Sequence, residues 1–186
     1  MFYTEKELKN IGFKSIGQNV LISNKTSIYN PQNISIGNNV RIDDFVTLSP
    51  SSELIIGSYI HIGVYASIIG KGKVVLKDFT GISGRVSIYS SNDDYTGLGM
   101  TNPTIPDEFK RVTHGDVIIN KHAIIGSGTI ILPNVIIGEG ASIGGLSLVS
   151  KNCDEYTIYA GNPLRVIGKR LKKFLKYEKN FIGNNK

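Results

Sequence analysis

The sequence is poor in the residues that mark several classes of protein. Its 186 residues include one cysteine, two methionines and no tryptophan. A lone cysteine cannot form an intramolecular disulfide, which excludes a small disulfide-stabilised fold. No apolar run approaches the length of a membrane span, and the opening "MFYTEKELKN" lacks the charged-then-apolar order of a signal peptide. These absences predict a soluble cytoplasmic protein without stable membrane insertion.

Acidic residues are also scarce in the last part of the chain. The formal net charge is +6, and from Leu164 to the end eight Lys and Arg residues face a single acidic one, Glu178. A basic segment can bind nucleic acid, an anionic membrane surface or a polyanionic cofactor, or it can form a solvated helix face. No nucleic-acid partner is predicted.

Glycine is abundant, and large aliphatic residues recur at a fixed interval. In the first part of the chain they are six positions apart within triplets, and each of four triplets begins 20 positions after the previous one; the last six are six positions apart without a break. These residues are Ile16, Ile22, Ile28, Ile36, Ile42, Leu48, Ile56, Ile62, Ile68, Leu76, Ile82, Ile88, Ile119, Ile125, Ile131, Ile137, Ile143 and Val149. The interval fits neither an amphipathic helix nor a half-buried strand. It is typical of a parallel β-helix, in which six residues form one short strand and one corner.

The repeat predicts an all-β prism of about six triangular coils. The first and fifth residues of each unit point inward, because side chains alternate along a strand. Six coils stacked about 4.8 Å apart give a prism roughly 29 Å long. We expect an N-terminal cap over residues 1–15, the β-helix over 16–155, and a C-terminal extension over 156–186. The extension has apolar residues at helical spacing, which predicts a basic helix packed on the prism; these are Leu164, Ile167, Leu171, Phe174 and Leu175.

The repeat is interrupted once, and the interruption is long. Residues from about 89 to 118 form a predicted excursion loop that leaves the third strand of a coil. A loop of this length in a compact domain is usually functional. It contains two adjacent carboxylates, Asp93 and Asp94.

The hexapeptide units, the excursion loop and the segment "AGNPLRVIGKRL" together resemble the left-handed β-helix acyltransferases. The segments "IHIGVYASIIG", "VSIYSSNDDYTG" and "TNPTIP" are most similar to enzymes that acylate dTDP-4-amino-4,6-dideoxyglucose, a nucleotide-linked amino sugar. The resemblance implies a left-handed helix, acetyl-CoA as co-substrate, and a homotrimer with acetyl-CoA in a groove between adjacent prisms. It also implies a role in bacterial surface polysaccharide biosynthesis, such as that of O-antigen in lipopolysaccharide or of capsule.

The resemblance also indicates candidates for catalysis. In the galactoside and maltose acetyltransferases, a catalytic histidine lies early in the excursion loop, and the matching position here is Asp93, followed by Asp94. An amine needs less help from a base than a hydroxyl does, so the missing histidine favours an amino sugar as acceptor. Asp93 or Asp94 would accept a proton from the sugar ammonium or hold it, unless "SNDD" is only a turn. His61 points outward from the prism and is the rival for the proton.

Five residues match positions that contact coenzyme A in the related enzymes. Ser127 and Gly145 would face the pantetheine groove, Ser150 and Lys151 the adenine nucleotide, and Arg165 the phosphates. The alternative for the glycine is structural, because corners of the coil need glycine for their backbone geometry.

Two other functions and a metal site remain as alternatives. An O-acetyltransferase acting on a glycan or small sugar would use the same fold. A non-catalytic scaffold would need neither the long loop nor the basic end. The three histidines suggest a zinc site of the kind found in hexapeptide carbonic anhydrases, but His114 and His122 lack the closely spaced pair of those enzymes, so no metal is predicted.

Overall fold

A computed structural model describes residues 1–184, and Lys186 of the basic segment lies outside them. The first two coils contain β1 (Ser15–Ile16), β2 (Leu21–Ile22), β3 (Ser27–Ile28), β4 (Ile34–Ile36), β5 (Arg41–Ile42) and β6 (Thr47–Pro50). The third and fourth contain β7 (Leu54–Ile56), β8 (His61–Ile62), β9 (Ser67–Gly70), β10 (Val74–Leu76), β11 (Gly81–Ile82) and β12 (Ser87–Tyr89). The excursion loop carries β13 (Ser91–Asn92) and β14 (Thr113–His114). The next two coils contain β15 (Val117–Ile119), β16 (Ile124–Ile125), β17 (Ile130–Ile131), β18 (Val135–Ile137), β19 (Ser142–Ile143) and β20 (Leu148–Val149). The chain continues with β21 (Thr157–Ala160) and β22 (Arg165–Lys169), and its helices are α1 (Glu5–Ile11) and α2 (Phe174–Asn184).

Every third strand pairs in parallel, so the coils build three flat faces. The first face is β1-β4-β7-β10-β15-β18, the second begins β2-β5-β8-β11-β16-β19-β21, and the third is β3-β6-β9-β12-β17-β20. The aliphatic residues of the repeat are paired in register, as Ile42 is with Ile62 and Ile82 with Ile125. The predicted β-helix is confirmed, with six full coils and part of a seventh.

The core is the inside of the prism. Of the eighteen repeat residues, all are buried except Ile16 and Ile28, which lie in the first coil and are partly buried. Each fully buried aliphatic side chain contributes about 1.5–3 kcal/mol relative to an exposed one. The first coil has no neighbour on its outer side, and α1 covers it with the buried Leu8. Thr4 begins this helix through a capping box with Glu7.

The three corners of the prism differ in composition. The aromatic corner joins the first and second faces and contains Tyr59, Phe79 and His122, all with left-handed backbone (φ 59°, 61° and 61°). Bulky residues rarely adopt this conformation. Here their rings form a continuous stack, with centroid separations of 4.8 Å for Tyr59–Phe79 and 5.1 Å for Phe79–His122. Stacking between coils compensates for the backbone strain. The small-residue corner joins the second and third faces, and the loop corner joins the third face to the first.

The predicted C-terminal helix is confirmed, but it begins at Phe174 rather than near Leu164. Residues Arg165–Lys169 form β22, which pairs antiparallel with β21 at the end of the second face. The reason is that the last parallel strand of a solenoid leaves an unpaired edge, and an antiparallel strand covers that edge. Helical spacing at Leu164 and Ile167 was therefore misleading.

Helix α2 packs against the aromatic corner. Phe181 meets Tyr59 edge-to-face with centroids 5.2 Å apart, and the carboxylate of Glu178 bonds with His122 Nε2 at 2.8 Å and with Lys121. Burial opposes the charged form of Glu178, but the hydrogen bonds from Lys121 and His122 outweigh it, and the pKa of Glu178 is lowered. Within residues 1–184, no helix combines the length and apolar character needed to cross a membrane.

Candidate active site

The small-residue corner forms a smooth stripe along the prism. From the third coil to the seventh, each second-face strand ends at a small residue or is directly followed by one; these small residues are Gly63, Ser83, Gly84, Gly126, Ser127, Gly144, Gly145, Ala160 and Gly161. Neighbouring coils approach closely here, since Gly128 N donates to Gly84 O at 3.1 Å and Leu146 N to Ser127 O at 2.8 Å. A Cβ on Gly126 would collide with the backbone of Gly144 and Gly145. Coil spacing therefore accounts for glycine at 126 without any ligand.

Three of the predicted coenzyme-binding residues follow this stripe. Ser127 and Gly145 are exposed on successive coils, and a Cβ on Gly145 would lie 3.0 Å from Ser127 O. Arg165 is exposed and pairs with Ala160, so it lies beside the last coil. The stripe from the fourth coil to the seventh spans three coil spacings, about 14 Å. It offers an extended ligand a backbone-lined surface that is bordered by the exposed Leu146 and has a cation at one end.

The other two predicted coenzyme-binding residues lie on a different corner. Ser150 and Lys151 directly follow β20 and are exposed at the loop corner. The third face separates them from Gly145 by about five residues, on the order of 17 Å for an extended strand. One chain therefore does not bring the five residues together; it divides them between two edges of one face.

The excursion loop leaves from the loop corner as a short hairpin. Strand β13 pairs antiparallel with β14, and Ser91 Oγ bonds with His114 Nδ1 at 2.8 Å. Beyond the hairpin, the carboxylate of Asp94 accepts hydrogen bonds from other residues of the loop. Its Oδ1 accepts from the amide and hydroxyl of Thr96 at 2.8 and 2.6 Å, and its Oδ2 accepts from Gly99 N at 2.9 Å. The Thr96 hydroxyl, followed by the Thr96 amide, holds the pKa of Asp94 below its usual value.

Asp93 is the freer of the two carboxylates. It is exposed, and across the described part of the chain its side chain makes no hydrogen bond or ion pair. The turn interpretation of "SNDD" therefore fits Asp94, whose carboxylate orders the loop. Asp93 remains available to a ligand.

His61 lies on the outer side of the second face, next to a partly buried carboxylate. Its Nε2 is 2.7 Å from Asp43 Oδ2, and Arg41 Nε donates to Asp43 Oδ1 at 2.7 Å. Burial would raise the pKa of Asp43, but the hydrogen bonds from His61 and Arg41 outweigh it, so the pKa is lowered and Asp43 is ionised at neutral pH. Strand β8 pairs with β11, which places His61 directly beside Gly81, two residues before Ser83.

The remaining reactive side chains lie elsewhere. His122 is buried beneath α2 rather than open to a substrate. Cys153 is buried, and this burial raises the pKa of its thiol to about 11, which makes it a poor nucleophile at neutral pH. Among residues 1–184 no three His, Cys, Asp or Glu side chains are grouped so that they could hold a metal ion.

Sequence patterns alone missed two residues of this surface, Asp43 and Ser83. The sequence contained a signal for Asp43. Coils are offset by 20 residues, so Asp43 lies beside Gly63, which is two positions after His61. The sequence does not distinguish Ser83 from the other small residues of the corners. A role for Ser83 in the active site is suggested only by comparison with related proteins.

Known proteins similar to this chain are acyltransferases. No family model matches the sequence. The chain is 52% identical over 189 residues to dTDP-4-amino-4,6-dideoxy-D-glucose acyltransferase of Escherichia coli, covering 99% of this chain and 98% of that protein. A shorter match, 33% over 70 residues (38% of this chain, 36% of the other), links it to a putative lipopolysaccharide biosynthesis O-acetyl transferase of Escherichia coli K12.

The fold is also that of a characterised crystal structure. AntD, an N-acyltransferase from Bacillus cereus, superposes with a TM-score of 0.95 at 48% identity, over 98% of this chain and 97% of AntD, in its complex with dTDP and 3-hydroxybutyryl-CoA. Other AntD structures contain coenzyme A with dTDP or with dTDP-4-amino-4,6-dideoxyglucose. Several of these carry substitutions of one aspartate or of one serine, two positions that are ten residues apart.

Proposed function

Because the chain belongs to the left-handed β-helix, hexapeptide-repeat family of acyltransferases, we propose that it acylates the amino group of dTDP-4-amino-4,6-dideoxyglucose, with acetyl-CoA as donor. The observation that carries this proposal is the 52% identity to the Escherichia coli enzyme over almost the entire length of both chains. The alternative of a non-catalytic scaffold is disfavoured, because the loop and the smooth stripe are both present.

The spacing of the substituted AntD residues supports Asp93 rather than Asp94 as the residue that meets the acceptor. In this chain Ser83 and Asp93 are ten positions apart, as in AntD, whereas the residue ten positions before Asp94 is Gly84. This agrees with the hydrogen bonds, which occupy Asp94 and leave Asp93 free. Ser83 also lies on the small-residue corner, where the register of β11 with β16 places it beside Gly126 and one position before the level of Ser127.

The proposed chemistry requires few groups. The stripe at Ser127 and Gly145 would hold the pantetheine arm, with Arg165 and Lys151 near the phosphates and Ser150 beside Lys151. Asp93 would hold the ammonium group of the sugar by a charge-assisted hydrogen bond and pass its proton to solvent. The neutral amine then attacks the thioester carbonyl, the C–N bond forms and the C–S bond breaks; the nitrogen loses its second proton, and the sulfur gains one and leaves as the thiol. Orientation of the two substrates supplies much of the rate.

A homotrimer is the second part of the proposal. The candidate residues are divided between the small-residue corner and the loop corner, about 17 Å apart on one chain. If the small-residue corner of one copy faced the loop corner of the next, the two sets would come together in one groove, and closed rings are the usual way to repeat such a contact. Exposed apolar side chains on the excursion loop favour a partner there; these are Tyr95, Leu98, Met100 and Phe109.

An O-acetyltransferase is the alternative reaction, and the excursion loop bears on it. Within residues 89–118 the only histidine is His114, which bonds with Ser91 in the hairpin. A hydroxyl acceptor needs a strong base, whereas Asp93 suffices for an amine. We propose that the acylated sugar is used in surface polysaccharide, such as O-antigen; the short match to a lipopolysaccharide O-acetyl transferase is the support for this use.

A thiol-release assay tests the function directly. The protein should release free thiol from acetyl-CoA in the presence of dTDP-4-amino-4,6-dideoxyglucose, and the product should gain one acetyl group by mass spectrometry. A matched sugar with a 4-hydroxyl in place of the 4-amine serves as the control. Faster turnover of the hydroxyl sugar would instead establish O-acylation, and no release with either sugar would reject the proposal. Repeating the assay with 3-hydroxybutyryl-CoA measures the preference for acyl length.

Removing a phosphate-binding cation should weaken coenzyme binding without affecting the fold. A cation beside a phosphate contributes about 1 kcal/mol in water-like surroundings, so we expect Lys151→Ala and Arg165→Ala each to raise the Kd for acetyl-CoA by about fivefold. The effect should shrink as salt is added, because both cations are exposed. Calorimetry at low and high salt measures it. Lys9→Ala, on α1 at the other end of the prism, is the control, and equal affinity in all three variants would remove Lys151 and Arg165 from the site.

A further inference from the structure

The second face has an open recess at Gly81, with a polar wall and an apolar wall. Gly81 is paired with His61 on one side and with Ile124 on the other. Both flanking side chains are exposed, His61 by 55% and Ile124 by 45%. A Cβ added to Gly81 would meet only Ile124 Cγ1, at 3.8 Å. The absence of a side chain at Gly81 therefore leaves space above the sheet without being required by the backbone.

The hydrogen bond to Asp43 determines what His61 presents to this recess. An ionised carboxylate only accepts hydrogen bonds, so Nε2 of His61 carries the hydrogen and Nδ1 of the neutral ring keeps a lone pair. In the described part of the chain nothing bonds to Nδ1. The charged groups on this side of His61 are Asp43 and Arg41, which pair with each other. On the other side are the uncharged Gly81 and Ile124.

The recess lies where the smooth stripe ends. Ser83 follows Gly81 by two residues on β11 and its continuation, so its Cα is about 8 Å from that of His61 for strands 4.8 Å apart. Next to Ser83, toward the first coil, bulky side chains border the stripe, because Tyr65 of the preceding coil is half-exposed and Arg85 lies over its ring at 5.8 Å. A ligand arm that follows the stripe from Gly145 would therefore place its reactive end beside Ser83 and His61.

We propose that His61 is a catalytic residue that carries a proton from the attacking amine to the departing sulfur, and that Asp43 is the positioning residue that fixes its tautomer. The proposal rests on the proposed N-acyltransferase activity. Acylation of an ammonium group displaces two protons. The first leaves before attack, through Asp93. The second leaves the nitrogen as the C–N bond forms; Nδ1 accepts it and then gives it to the thiolate as the C–S bond breaks, so the ring ends neutral and the products are amide and thiol.

Replacement of His61 by glutamine tests the proton transfer. The glutamine amide can keep a hydrogen bond to Asp43 but cannot take up a proton. We expect kcat to fall roughly 10²-fold, with the pH dependence of kcat flattened between about pH 6 and 9 and with the Kd for acetyl-CoA unchanged. Asp43→Asn should lower kcat at least tenfold, because an amide donor to Nε2 moves the ring hydrogen to Nδ1. The control is Asp44→Asn, the same change one residue later in a carboxylate that pairs with Lys25, and it should leave kcat unchanged.

Gly81→Val tests the location independently of His61. The backbone of Gly81 is not left-handed, and the space above it is open, so a valine should fit and Tm should be retained. The valine side chain would fill the recess, so kcat/KM for the sugar should fall at least tenfold. The inference is overturned if His61→Gln keeps kcat within threefold with an unshifted pH profile, if Asp44→Asn loses as much activity as Asp43→Asn, or if Gly81→Val is fully active. An inactive wild-type protein would instead reject the proposed function, and this inference with it.

Discussion

Asp93→Asn should lower turnover of the nucleotide-linked amino sugar by roughly 10²- to 10⁴-fold, the usual contribution of a general base. The asparagine amide has almost the same shape, but it neither carries the negative charge that holds an ammonium group nor accepts its proton. Binding of acetyl-CoA should barely change, because the side chain of Asp93 has no partner in the described fold to lose and is not a phosphate ligand. Steady-state turnover across pH 6 to 9, with calorimetry for acetyl-CoA, measures both quantities.

The neighbouring carboxylate provides the matched control. Asp94 accepts three hydrogen bonds within its own loop, and an asparagine there would turn an NH₂ group toward the amide of Gly99 or of Thr96. We expect Asp94→Asn to loosen the loop, raising KM for the sugar while kcat falls less than tenfold. Thr96→Val, which removes one of the same hydrogen bonds, should produce a similar but smaller effect. If Asp94→Asn proves the more damaging change, or if both Asp variants keep full activity and an unshifted pH profile, Asp93 is not the group that deprotonates the amine.

The sequence predicted the prism well because its signal is repeated. Eighteen aliphatic residues that recur mostly at six-residue steps fit a three-sided β-helix and no other regular structure. The same steps determine which strands pair. The C-terminal segment has no repeat to constrain it. Spacing at Leu164 and Ile167 fits a helix, but the exposed edge of β21 decided in favour of strand β22, and that edge is a property of the assembled coils.

The choice between Asp93 and Asp94 could not be made from the sequence. The two residues are adjacent and chemically identical, so pattern and composition treat them alike. The difference arises from backbone amides at Thr96 and Gly99, which reach one carboxylate and not the other. Asp43 was missed for a related reason, since its contact with His61 joins two neighbouring coils and the two residues are 18 positions apart in the chain.

Two inactive variants should restore one another's activity when they are produced in the same cell. Ser127 is exposed in the stripe of the small-residue corner, so Ser127→Trp should block the coenzyme groove without disturbing the core, and Asp93→Asn disables the loop corner. In a trimer with one groove between each pair of neighbours, random mixing of the two chains gives intact grooves at about one quarter of the sites. The mixed protein should therefore recover up to about one quarter of the wild-type specific activity, far above either variant alone.

A second mixture separates this arrangement from a site built within one chain. A chain carrying both substitutions, co-produced in equal amount with the wild-type chain, should give about one quarter of wild-type activity if each groove uses two chains, but about one half if each chain is self-sufficient. Differently tagged chains show that both are incorporated equally, the unselected mixture is assayed so that random mixing applies, and light scattering gives the mass of the assembly. Recovery no greater than the background of the single variants, or a mass near that of one 20.3 kDa chain, would contradict the shared groove. In that case the distance of about 17 Å between Gly145 and Ser150 would have to be bridged by a single prism, and Lys151 and Ser150 would no longer belong with the stripe that contains Ser127.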